Sequence, residues 1–301
     1  MTSSALAANP DPPVAKRVRR SPSAARILAE VWEARDLVAQ FVRRDLTIRY
    51  TQAVMGVAWA VLMPMLIVGA GVMFRIVLAT LSNTHVEGTS IASIAAKALP
   101  WAFFAGALSM ATQSIIGNAN LIGKVYFPRE ALPLSTVLAQ CPDLVIGLLL
   151  VTIILPFVGV GVSWSALWVV PILVLLVAFT TGVSLLLSCA NLFFRDVKYI
   201  VQVVLNFGVF ATPVFFEPQM LGRKGGAIML ALPLSPLIEG LDIAMVRGQS
   251  LLSTVAVSTA KGVLVVWSPW MLLYATVVSL SALLVGLRIF RGASSRFAEM
   301  A

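Results

Sequence analysis

Apolar positions in this chain gather into long blocks, not into the alternation of a half-buried strand or the stripe of a soluble helix. Six blocks come near or exceed the roughly 18 to 20 residues that cross a bilayer. They run from about Gly56 to Leu81, Pro100 to Leu121, Val137 to Val160, Leu167 to Cys189, Tyr199 to Phe216 and Val263 to Leu287. Ahead of them, from Ser21-Pro22 to Tyr50, the pattern is amphipathic, with a helix cap followed by proline at the first helical position. Ile27, Leu28, Val31, Trp32, Val38, Phe41, Val42 and Leu46 form its apolar stripe, and Glu30, Glu33, Asp36, Gln40, Arg43 and Arg44 hold much of the other side. Such a helix lies on a membrane instead of crossing it.

The stretch from Thr212 to Gly262 is irregular. It holds Pro213, Pro218, Pro233 and Pro236, the run Gly222-Arg223-Lys224-Gly225-Gly226, and an apolar piece from Ala227 to Ile238 that is too short to span. A re-entrant hairpin accounts for this pattern, and so does an outer loop carrying an interfacial helix. The predicted fold is therefore an all-α membrane protein with six transmembrane helices, an N-terminal amphipathic interfacial helix and a re-entrant helical hairpin between spans five and six. Its divisions are a disordered cytoplasmic tail over 1–24, the amphipathic helix over 25–50, the transmembrane domain over 51–291 and a cytoplasmic tail over 292–301. The first tail is rich in Pro, Ser, Ala and Arg and lacks the apolar core of a secretory signal.

Composition strengthens this picture. The 301 residues are 59% hydrophobic and only 12% charged, against about 25% charged in soluble domains, which excludes a water-soluble fold. The net charge of +9 could suggest nucleic acid, but its placement argues otherwise. Nine of the 22 Lys and Arg lie between Lys16 and Arg49, where anionic lipid or a partner protein explains them better, and no nucleic acid partner is expected. With the N-terminus inside, inner segments collect those nine plus Lys124, Arg129, Arg195, Lys198, Arg288, Arg291 and Arg296. Outer segments collect only Lys97, Arg223, Lys224, Arg247 and Lys261. Both termini are thus expected in the cytoplasm. Trp101, Trp164, Trp168, Trp267 and Trp270 fall near outer boundaries and Tyr50, Tyr126 and Tyr199 near inner ones, as headgroup-level aromatics do.

Catalytic chemistry is sparse. There is one histidine, His85, in a short loop, and Cys141 and Cys189 fall inside spans, so neither a metal nor a catalytic site is expected. Arg75 sits near the outer end of the first span, where it either snorkels to water or meets an anionic group of a substrate. Asp143, behind Pro142, either pairs with an inner basic residue or caps a helix. An ion-coupled carrier needs mid-membrane carboxylates and often repeated halves, which this chain lacks. An ATP-driven machine needs the phosphate-cradling G-x-x-x-x-G-K-[ST]. The nearest approach, Gly117 to Val125, has one residue too many between its glycines and ends in valine. If the protein is a pump, its motor is on another chain.

Read together, several segments resemble the ABC-2 type permeases that export O-antigen, capsule, teichoic acid or galactan. Phe41 to Tyr50 (FVRRDLTIRY) followed by Gly56-Val57-Ala58-Trp59 resembles the family's opening. Asn118 to Glu130 (NANLIGKVYFPRE), with Leu132-Pro133-Leu134 after it, resembles the loop between its second and third spans. Asn191-Leu192-Phe193-Phe194-Arg195-Asp196-Val197 and Thr212-Pro213-Val214-Phe215-Phe216 resemble its fourth and fifth spans, and Leu234-Ser235-Pro236-Leu237 its later Ser-Pro element.

The resemblance implies a permease subunit of the bacterial cytoplasmic (inner) membrane, homodimeric, paired with two separate ATP-binding cassette ATPases, and moving a lipid-linked polysaccharide; the same fold would also serve an exporter of a drug, small lipid or peptide, and a membrane scaffold without transport is the alternative from another class. No cofactor is expected on this chain, since ATP and Mg belong to the partner subunit. It makes Arg43, Arg44, Lys124, Tyr126, Phe127, Arg129 and Glu130 candidates for coupling to the ATPase, although positive-inside anchoring would explain the same patch. Candidates for the substrate channel are Phe103, Phe104, Ser109, Gln113, Asn206, Phe207, Phe210, Phe215, Phe216 and Arg75. Aromatic faces beside amides and hydroxyls suit a sliding sugar, and packing against helices or lipid would use the same aromatics.

Overall fold

The computed structural model describes Glu30 and residues 32–51, 58–81, 88–122, 127–161, 163–259 and 262–293. The first tail, the start of the amphipathic segment, His85, Lys124, Tyr126, Lys261 and the last residues lie outside them.

The architecture is mostly helical. In chain order the helices are α1 (Arg35–Thr51), α2 (Ala58–Leu81), α3 (Gly88–Thr112), α4 (Ala131–Leu138), α5 (Cys141–Ile154), α6 (Val169–Phe193), α7 (Val197–Ala211), α8 (Gly222–Ala231), α9 (Ser235–Met245) and α10 (Pro269–Ala293), with shorter helical turns between them. Four stretches are long and apolar enough to cross a membrane: Gly88–Thr112, Ala131–Val158, Trp164–Phe193 and Pro269–Ala293. The bent pair Pro218–Ala231 and Ser235–Met245, turned by 109°, makes a fifth if counted as one span. Met65–Leu81 and Val197–Ala211 are apolar but shorter.

Two blocks differ most from the sequence expectation. The second block begins at Gly88, not Pro100, and ends at Thr112, so Lys97 lies inside a helix and not in a loop. Thr89, Ser90 and Ser93 dilute the apolar signal of its first turns, but Ala92, Ala95, Ala96 and Ala98 favour helix and are buried. The sixth block does not begin as helix. Gly262–Trp267 is a strand, β2, paired antiparallel with β1 (Val255–Thr259), so the chain is not wholly α-helical. The β-branched runs on either side favour the pleat, and Pro269 then starts α10. Trp267, almost fully buried, donates its indole N–H to the Leu251 carbonyl at 2.9 Å and ties the end of β2 to the turn before β1.

The tightest helix pair is α6 with α10. A Cβ on Gly182 would stand 2.3 Å from the Ala282 carbonyl carbon, and one on Gly286 would stand 2.4 Å from the Gly182 carbonyl oxygen. Ala275, Ser279 and Gly286 make α10's buried stripe, which is how small residues let membrane helices approach closely. α3 crosses the middle of the bundle and packs on α2, α5, α6, α7 and α9. Helix α9 is buried at every position from Ser235 to Met245.

Candidate functional site

One end of the bundle carries α1. Val38 and Phe41, from its predicted apolar stripe, are buried against Ile115, Leu132, Leu185 and Phe290. Its C-terminal end is clamped to the start of α5: Arg49 Nη1 is 2.8 Å from Asp143 Oδ2 and 3.1 Å from Gln140 Oε1, and the Tyr50 hydroxyl donates to Asp143 Oδ1. Asp143 thus pairs with a basic residue, one of its two readings. Burial, then the hydrogen bond and negative charge of Asp143, push the Tyr50 phenol up to about 12, so it stays a neutral donor.

The candidate coupling residues divide by exposure. Arg43 points outward, and Arg44, also exposed, reaches Asp45 Oδ1 at 2.9 Å and Asn118 Oδ1 at 3.1 Å while lying over the Phe41 ring. Phe127 packs its edge on Phe41, ring centroids 5.8 Å apart, and Arg129 follows it, half-buried, at the turn before α4. Glu130 is turned inward: it is buried, and its Oε1 accepts from Arg291 Nε of α10 at 2.9 Å. Arg291 also pairs with Glu30. The Glu130–Arg291 bond joins the turn before α4 to the end of α10. Lys124 and Tyr126 lie outside the described residues.

The candidate channel residues divide in the same way. Phe103 is only 4% exposed and belongs to the core. Phe104 is half-buried and stacks on Phe179, with centroids 5.9 Å apart and planes within 16° of parallel. α7 packs Val201 and Leu205 towards α3 and brings Gly208 so close to Trp101 that a Cβ would stand 2.9 Å from the indole. That leaves Asn206, Phe207 and Phe210 exposed on its other side, with Ser109 exposed on α3 and Gln113 exposed just past its end. Phe215 and Phe216 are half-buried, both against Phe74, and Phe210 meets Phe215. Arg75 is paired, its Nη2 3.0 Å from Glu217 Oε1.

The opposite end holds a cluster the sequence reading missed. Lys97 of α3 is 1% exposed, and Glu239 and Asp242 of α9 are 0% exposed. Lys97 Nζ is 2.8 Å from Glu239 Oε2 and 3.5 Å from Asp242 Oδ2. Arg247 closes the set, with Nε 3.1 Å from Asp242 Oδ2 and Nη2 3.4 Å from Glu239 Oε1. Gly248 takes φ 61°, the left-handed region, and turns the chain immediately after that arginine. Two cations and two carboxylates cancel in charge, the condition under which ions tolerate burial. The available signal was two carboxylates three residues apart inside an apolar helix started by Ser235-Pro236, which a charge count along loops does not weigh. A second missed residue is Asn191, fully buried, whose Nδ2 donates to the Thr112 carbonyl at 2.9 Å where α3 ends.

The profile of the ABC-2 type transporter family matches residues 36–246. The chain belongs to the ABC-2 type transporter family. The matched region runs from α1 through α9, so the coupling candidates, the α7 face and the buried carboxylates all fall within it, while the hairpin and α10 follow it. As an ABC-2 permease the protein is a multi-pass membrane transport subunit. It is 27% identical over 266 residues to an O-antigen export system permease protein RfbA of Klebsiella pneumoniae, covering 88% of this chain and 95% of that one. A second such permease from Klebsiella pneumoniae is 28% identical over 67% of this chain and 77% of its own. One from Myxococcus xanthus is 26% identical over 71% of this chain and 80% of its own.

Proposed function

We propose that this ABC-2 permease exports a lipid-linked polysaccharide across the bacterial cytoplasmic membrane as a homodimer driven by two separate ATPase subunits. The observation that carries this reading is the similarity to permeases named for O-antigen export, which extends over most of the length of each. In this reading α2, α3, α4 with α5, α6, α7 and α10 are six spans, both termini are cytoplasmic, and α1 lies at the inner surface. The bent pair α8–α9 enters from the outer side and returns. Residues 51–291 are then the transmembrane domain, between the amphipathic helix and a short tail. ATP and Mg stay on the partner chain, and this chain binds no cofactor of its own.

Coupling then runs through the α1 end. Arg43, Arg44 and Arg129 offer cations and Phe127 an aromatic ring to a soluble partner, Lys124 and Tyr126, close to them in sequence, belong to the same coupling set, and charge complementarity sets how the partner docks. Glu130 and Arg291 transmit its movement, since they join the turn before α4 to the end of α10. α1, pinned through Arg49 and Tyr50 to the start of α5, moves with it. The glycan path is formed by Asn206, Phe207 and Phe210 with Ser109, Gln113, Phe215 and Phe216, and Phe104 forms its half-buried wall. Arg75 stays with Glu217 behind that face. ATP binding on the partner biases the closed and open states of the path, which requires the partner to prefer one of them.

The test is co-expression with the ATPase encoded beside the gene. A stable complex is expected, with ATPase activity that depends on the permease and falls several-fold in Arg129→Ala. A protein that forms no such complex is not an exporter subunit. A complex whose activity ignores Arg129→Ala keeps the exporter but removes the loop from coupling.

A further inference from the structure

Between α8, β2 and the first turns of α10 runs an open groove of about 610 Å³, within the range of roughly 300 to 1,000 Å³ typical of ligand sites. Its walls are Ala227, Leu230, Ala231, Val265 and Met271; Arg223, Trp270 and Tyr274 are its polar fittings. The Tyr274 hydroxyl donates to the Ala231 carbonyl at 2.8 Å, which bridges α8 to α10 and shapes the groove independently of any occupant.

The geometry points to a binding site for one anionic phospholipid, headgroup at Arg223 and acyl chain along α10. Three observations carry it. First, α10 is a candidate span beginning at Pro269, so Trp270 and Tyr274 occupy its first turns, the level of the headgroups, where amphipathic rings settle. Second, charge is unbalanced there. Among the described residues neither Arg223 nor Lys224 has an ion-pair partner, although Arg75, Lys97 and Arg247 elsewhere at this end are all paired. An unpaired basic pair beside a membrane helix attracts anionic headgroups. Third, the walls are apolar, and below Trp270 the same helix exposes Leu273, Val277, Leu280 and Leu284, a track for a hydrocarbon chain that a free phosphate would not need. The site is separate from the α7 face assigned above to the glycan, and it requires only that α10 be embedded in lipid.

The test uses the full-length protein in nanodiscs that contain phosphatidylglycerol and phosphatidylcholine in equal amounts. Lipids that stay bound after transfer to detergent are counted by native mass spectrometry, with neither cargo nor ATPase present. Phosphatidylglycerol is expected to be retained at least tenfold over phosphatidylcholine. Arg223→Glu, an exposed position where folding is not at stake, removes that preference, whereas Arg195→Glu leaves it. Ala231→Trp, which fills the groove, lowers retention of both lipids. Equal retention of the two lipids by the unaltered protein overturns the assignment, and so does an Arg223→Glu variant that keeps the preference. If Trp270→Ala changes the oligomeric state without changing bound lipid, a second copy covers this face and the assignment also fails. A negative result leaves the export reading intact, since neither ATPase coupling nor cargo enters the measurement.

Discussion

The two ends of the bundle use charge in opposite ways. At the end bearing α9, Lys97, Glu239 and Asp242 are buried, and Arg247, half-buried at their edge, completes two cations and two carboxylates that pair with one another. At the end bearing α1, charges are either half-buried pairs that hold elements together, as in Arg49–Asp143 and Arg291–Glu130, or exposed, as in Arg43 and Arg44. A largely buried, charge-balanced cluster holds α9 against α3. A half-open set can dock a soluble partner and still relay its movement inward. The difference separates the end that sets the geometry of the bent pair from the end suited to receiving force.

The sharpest way to break this contrast is Lys97→Met. It leaves Glu239 and Asp242 buried beside one cation, and loss of about 3 to 5 kcal/mol is expected in thermal or denaturant unfolding in detergent. Combining it with Glu239→Gln restores neutrality and recovers most of that loss; failure to recover would show that the cluster is not held by charge balance. Arg291→Ala, at the other end, strands the buried Glu130 and should cost about 1 to 3 kcal/mol in the same assay, with slower ATP-driven export. Tyr50→Phe removes one donor to Asp143 but keeps Arg49, so about 1 kcal/mol is expected, with no change in stability profile between pH 6 and 9 because the phenol titrates only near 12. The smallest stability effect belongs to Arg43→Glu, an exposed position outside the Arg44–Asp45–Asn118 contacts, within about 0.5 kcal/mol of the unaltered protein. Its effect should appear instead as lost stimulation of the partner ATPase, and a change in stability without a change in coupling would erase the distinction between the ends.

Much of this arrangement could be read in the residues. Long apolar blocks announce spans because the bilayer demands them, and the stripe of α1 showed in Val38 and Phe41 because a helix that docks on a bundle must present one apolar side. What escaped the reading depended on distant partners. The start of α3 was hidden because Lys97 looks like a loop residue until Glu239 and Asp242 are beside it. The hairpin was hidden because Val263-Leu264-Val265-Val266 is an apolar run whose period does not distinguish strand from helix. Phe103 and Phe104 differ by one position along α3, and only the packing of α3 against its neighbours assigns the first to the core and the second to an edge. The order of motifs located the family without locating which side chain of each motif faces solvent, and so the burial of Glu130 against Arg291 was not legible in them.

The central claim is export of a lipid-linked polysaccharide, and deletion of the gene tests it most directly. Surface polymer should disappear and a lipid-linked glycan should accumulate on the cytoplasmic side, both reversed by the unaltered gene but not by one carrying Arg43→Glu and Arg44→Glu. Undiminished surface polymer with no internal accumulation would contradict the claim.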